Sequence, residues 1–169
     1  MKNLTPLLAI SCLFATAVEA AEVPKATHDF VADVAVSNKF EIDTSELALK
    51  YGKAADVRNF AQQMITDHTA AGQKFKAALA EASIQPPADS LDVAHTAKYA
   101  KLRVFTTEAG FDASYTQEQL KAHEDAVAKF EAYATSGPTP ALKTFANDLL
   151  PTLRHHLQMV KDLEPKVRK

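Results

Sequence analysis

The sequence predicts an all-α protein, an up-down four-helix bundle with an additional shorter crossover helix, and three observations carry that expectation. Ala, Leu, Lys and Glu are abundant while glycine numbers only 4 in 169 residues, the composition of long helices. Apolar side chains recur at spacings of three and four over two long stretches, which places them on one stripe of a helix. No segment alternates apolar and polar residues with period two for long enough to suggest a sheet.

The first stripe holds Val57, Phe60, Ala61, Met64, Ile65, Ala71, Phe75, Ala78 and Leu79, and His68 falls inside it. The second holds Leu142, Phe145, Ala146, Leu149, Leu153, Leu157 and Val160, and His156 falls inside that one. Each stripe therefore carries an imidazole where a core residue is expected.

In chain order, Met1-Lys2-Asn3 followed by the apolar run Leu4 to Ala15 is a basic start and a hydrophobic segment too short for a permanent bilayer span. Val18-Glu19-Ala20 offers small residues where a signal peptidase reads, so we expect residues 1–20 to be a signal peptide cleaved after Ala20 and the protein to be periplasmic. Cleavage removes Cys12, the only cysteine, and leaves His, Asp and Glu as the strong side-chain metal ligands. The rival reading takes Ala9-Ile10-Ser11-Cys12 as a lipoprotein signal, with Cys12 lipidated and the protein anchored to a membrane.

Residues 21–26 read as a tether and 27–169 as one helical domain. A first helix is predicted from about Thr27 to Tyr51, with Phe30, Val31, Val34, Ala35, Ile42, Ala48 and Leu49 inward and Gly52 as its stop. A second runs from about Lys53 to Ser83 and is ended by Pro86-Pro87. Asp89 or Ser90 is expected to cap a third, shorter helix through about Thr107. Gly110 marks a break or a kink, and a helix follows from Phe111 to about Thr135. Ser136-Gly137-Pro138-Thr139-Pro140 is a turn with Thr139 as cap, and the last helix runs to about Glu164 with a bend expected at Pro151.

On helical wheels one polar group per long helix points inward: Glu41, His68, His123 and His156. Counted from the two turns, the members of each hairpin pair are staggered by roughly 7–8 Å along the axis. These four are the candidate metal ligands, a carboxylate-imidazole set suited to Zn, Cu, Fe or Mn. Asp67, Asp112 and Tyr115 are candidate supporting residues. Asp67 is rotated off the stripe and reads first as a helix-edge partner for a lysine or arginine, and second as a group that orients His68 through a neighbouring helix, while Asp112 reads as a cap or anchor of the helix start beside Gly110. The competing reading makes the histidines core residues in a buried hydrogen-bond network.

No Glu-x-x-His pair occurs, which disfavours a ferritin-like redox enzyme with a di-iron centre. Neither a His-Glu-x-x-His motif, a nucleophile elbow nor a phosphate-binding glycine loop is present, and no catalytic residue is assigned. A formal net charge of -2 gives no electrostatic case for nucleic acid or an anionic membrane surface as partner. A protein partner in the cell envelope stays open, as does the oligomeric state.

Phe60-Ala61-x-x-Met64-Ile65-x-Asp67-His68, Gly110-Phe111-Asp112-x-x-Tyr115, His123 and Leu150-Pro151-x-Leu153-x-x-His156-Leu157 together resemble the bacterial domain-of-unknown-function family 4142 (DUF4142). The likeness spans about Thr27 to Leu163 and matches at Glu41, Asp67, His68, Asp112, Tyr115, His123 and His156. It implies a ferritin-like bundle and an exported protein, and it brings no established activity. The expectation is therefore an exported bundle with a candidate transition-metal site, linked to envelope stress or metal handling by fold and compartment alone. The alternative is a non-catalytic structural or interaction domain.

Overall fold

Helix boundaries fall where backbone donors and acceptors find partners outside the helix. The structure is a computed structural model that describes residues 22–105 and 110–167. The expected signal peptide, with Cys12, lies outside the described residues, as do Ala21 of the tether and Thr107. Five helices are seen, α1 (Lys25–Tyr51), α2 (Ala55–Glu81), α3 (Val93–Val104), α4 (Phe111–Ser136) and α5 (Pro140–Val167), with no strand among the described residues.

α1 starts two residues before the predicted position because the Pro24 carbonyl accepts from the Thr27 and His28 amides. Lys25 and Ala26, read as part of a tether, belong to α1. α2 closes on a Schellman pattern: Ile84 N–H donates to the Leu79 carbonyl and Ser83 N–H to that of Ala80, with Ser83 left-handed at φ 57°. α3 is capped by Asp92, whose carboxylate accepts from the His95 amide at 2.7 Å. This corrects the expectation of Asp89 or Ser90, which lie three and two residues too early. Gly110, at φ 129°, separates α3 from α4, so these are two helices; a side chain there would be strained. α5 runs on through Pro151, which sits on its exposed face.

Three long-range contacts give the helix directions. Asp112 at the start of α4 accepts from the Lys53 and Ala54 amides at the α1–α2 turn. Tyr133 near the end of α4 shares a hydrogen bond with Thr27 at the start of α1, and Lys166 near the end of α5 pairs with Asp56 at the start of α2. α1 and α5 therefore run one way and α2 and α4 the other, with α3 in the long crossover between the hairpins. One long crossover of this kind is the connectivity of ferritin-like bundles.

The core is two apolar clusters. The lower one is built on Phe30, Val34, Phe75, Phe130, Phe145 and Leu149, and the upper one on Ala48, Val57, Phe60, Met64, Tyr115 and Val160. Ile42, Leu49, Ile65 and Leu157, read from the wheels as inward, are only partly buried. On α1 the inner arc is taken instead by Phe40, Thr44 and Ser45. Between the clusters lies a layer of buried polar side chains: Glu41, His68, Gln119, His123 and His156. That layer is where chemistry can occur.

Candidate metal centre

His68 and His156 reach the layer because their helices present buried apolar neighbours one turn to either side. His68 follows Met64 by four residues and precedes Ala71 by three. His156 follows Leu153 by three and precedes Val160 by four. His123 lies four residues beyond Gln119 on α4. The three rings converge, with centroids 5.9 Å apart for His68 and His123, 5.6 Å for His68 and His156, and 5.4 Å for His123 and His156.

The stagger expected from residue counts is smaller than predicted, for two reasons. His123 lies 13 residues before Ser136 and His156 lies 16 after Pro140, so the helical offset is three residues, about 4.5 Å. Side chains also lean toward the N-terminus of their own helix, which in an antiparallel pair brings these two toward each other.

One nitrogen of every ring is committed outward. His68 Nδ1 donates to Asn38 Oδ1 at 3.1 Å, His123 Nδ1 to the Gln119 carbonyl at 2.9 Å, and His156 Nε2 to Asp67 Oδ2 at 2.8 Å. An outward N–H fixes the tautomer and leaves a lone pair on the other nitrogen. Those other nitrogens, His68 Nε2, His123 Nε2 and His156 Nδ1, are buried and find no hydrogen-bond partner in the protein. One ligating nitrogen from each of the three lies within 4.8 Å of the others. A tetrahedral zinc with nitrogens at 2.0–2.1 Å sets them about 3.3 Å apart, so small ring rotations would close the set.

Electrostatics favour the ligating form. Burial, reinforced by the neighbouring His123 and His156, holds His68 well below the ordinary imidazole range. Burial also lowers His156, with Asp67 pulling the other way. Both rings are therefore kept neutral, as a metal ligand must be. Partial burial works to raise the Asp67 carboxyl, but hydrogen bonds from Gln63 and His156 bring it below its usual value.

Glu41 is buried in the same layer, and burial pushes its carboxyl up while His123 draws it down. Its Oε2 has no protein partner. It does not belong to the set of donor atoms within 4.8 Å, which comprises the three histidines alone. Tyr115 turns its hydroxyl to Ser45 at 2.8 Å, away from the imidazoles. Asp112 stands at the α1–α2 turn, where it caps the start of α2 rather than its own helix. Asp67 serves a histidine, not the lysine or arginine expected from its edge position, because its helix edge faces α5. Asn38 is the partner that inspection of the sequence passes over. Its position three residues before Glu41 puts the two on one arc of α1, and that was the available signal.

The buried donor set, its outward hydrogen bonds and the bundle that holds them coincide with one further finding. The family model described as domain of unknown function (DUF4142) matches residues 13–163. The chain belongs to the DUF4142 family. No curated protein and no solved structure matches the chain. Within this DUF4142 bundle, no helix among the described residues is long and apolar enough to cross a membrane.

Proposed function

We propose that this protein binds one transition-metal ion through His68 Nε2, His123 Nε2 and His156 Nδ1, and that it works in metal handling in the cell envelope. One observation carries the reading: three buried lone pairs on fixed tautomers converge with no protein donor between them. A purely structural network would pair those atoms with one another or with neighbours, since an unpaired buried polar group costs about 1–3 kcal/mol. A cation supplies what the imidazoles lack. The outward partners are of the kinds that orient metal-bound histidines, an amide oxygen, a backbone carbonyl and a carboxylate.

Three imidazoles with no thiolate suit copper(II) and zinc best, with iron and manganese bound more weakly. Glu41, buried beside the three with its Oε2 unpartnered, would hydrogen-bond to a water or other ligand held in the fourth position. Placement in the periplasm rests on the leader read in residues 1–20; the N-terminal sequence of the protein recovered from a periplasmic extract tests it.

The test of metal binding is elemental analysis of untagged protein, then titration with Cu(II), Zn(II), Fe(II) and Mn(II). We expect one equivalent of copper or zinc, with affinity lost in His68→Ala, His123→Ala and His156→Ala. A protein that takes up none of the four ions, yet melts at lower temperature in each of those variants, would instead have structural histidines.

A further inference from the structure

Beside the imidazoles the bundle encloses a cavity of about 180 Å³. His68, His123 and Glu41 line its inner end. Its walls come from all the long helices: Val34, Ala71, Phe75, Phe145, Leu149 and Leu153 form the apolar part, and polar side chains, Asn38, His95 and Asp125 among them, make up much of the rest. It reaches the surface between α1 and α4, under α3, where Ser37, Lys98 and Lys129 stand at the rim. Lys129 is paired with Asp33 across that opening. Lys98 lies over the Phe40 ring and makes no ion pair with a carboxylate among the described residues.

Resting on the metal reading above, we propose that this cavity is the seat of an exogenous ligand: a small monoanion with one oxygen donor group and an apolar body about the size of a single ring. Three features select that chemistry. A cavity near 150 Å³ with aliphatic and aromatic walls takes up a benzene-sized molecule, so the body is matched to the space. Three protein ligands are the complement that would leave a metal one open position, and two of the three, His68 and His123, border the cavity by which a ligand would arrive. The lining carboxylates of Asp33 and Asp125 are paired with Lys129 and Lys121, so a divalent ion on three neutral imidazoles, with Lys98 at the rim, would give the path a positive bias that favours an anionic head. The apolar part of the wall disfavours a ligand that is charged throughout, because a second charge set against Phe75, Phe145 and Leu149 would lose its solvation without a partner.

Cobalt(II)-loaded protein titrated with benzoate, and in parallel with acetate, tests this. Cobalt uptake is measured first. Benzoate is expected to perturb the visible cobalt spectrum saturably and at least 10-fold more tightly than acetate, which has the head without the body. Ala71→Leu, which fills the cavity, should bring benzoate down to the level of acetate and leave the acetate titration unchanged. Leu149→Phe, which fills the same space from α5, makes the same test should Ala71→Leu fail to fold. Equal affinity for the two anions, or benzoate binding untouched by filling the cavity, overturns this proposal and leaves the metal reading standing. Failure to take up cobalt, copper or zinc overturns both.

Discussion

Asp67 illustrates how a single side chain outside the layer can govern what happens within it. Its carboxylate accepts from His156 Nε2 at 2.8 Å and from Gln63 at 2.7 Å, so it fixes which His156 nitrogen faces the centre. Asp67→Ala should therefore weaken metal binding by roughly 10–100-fold, the range seen when an outer partner of a ligating histidine is removed. Isothermal titration with zinc reads that loss directly, and an unchanged affinity would mean that the ring is oriented by packing alone. The same rings set an acid limit on the metal-free fold. His68 and His156 have folded values below the unfolded imidazole value near 6.5, so below that pH the unfolded chain binds more protons. Stability is then fully present above about pH 6.5 and falls as pH drops toward the folded values, by up to about 1.4 kcal/mol per pH unit for each proton. Glu41 acts in the opposite sense, since its raised carboxyl favours the fold at low pH and that contribution is lost as pH rises through the folded value. Urea titrations of metal-free protein between pH 7 and 5 should show a shallower acid loss in His68→Gln than in the wild type.

Among the helices, the hairpin turns are held by contacts that cross the bundle. α2 has no side-chain cap of its own, and Asp112 from α4 supplies it, accepting from Lys53 N at 3.0 Å and Ala54 N at 2.8 Å. Its carboxylate also packs against Gly52, where a Cβ would meet the Ala48 carbonyl at 2.5 Å. Asp112→Ala should cost about 0.5–2 kcal/mol, the range for losing an N-cap. Because that residue joins two hairpins, hydrogen exchange should quicken at the α1–α2 turn and at the start of α4 together. Exchange confined to α4 would mean that Asp112 caps only its own helix. At the opposite end, Thr27 bonds both Tyr133 and Thr139, so both ends of the bundle are pinned and the polar layer lies between them.

For the whole molecule, the polar layer divides the core into two apolar clusters, and the metal would act as a bridge among α2, α4 and α5. A ligand that binds only the folded state stabilises it in proportion to the logarithm of its concentration over the dissociation constant. At 100 times that constant the gain is about 2.7 kcal/mol, which for a domain of this size raises the melting temperature by roughly 6–10 °C. Scanning calorimetry with zinc, and again after a chelator, should show that rise and its reversal. His156→Ala should abolish the rise, and a melting temperature indifferent to zinc and copper would place the imidazoles among ordinary core groups.

Helix type and most boundaries were legible from the sequence, because amphipathic spacing and the Gly and Pro breaks are local properties of the chain, whereas the break or kink left open at Gly110 was decided by the structure, which has two helices there. The same spacing placed Glu41, His68, His123 and His156 on inward arcs, and all four are buried. What residue order could not supply was which of those groups meet. His156 and Asp67 are 89 residues apart and Lys53 and Asp112 are 59, so their pairing depends on which helices become neighbours. The axial register that brings the three rings to 5.4–5.9 Å likewise depends on turn geometry and on the lean of side chains in antiparallel helices. Local periodicity decides which side of a helix is dry; only packing decides what that side faces.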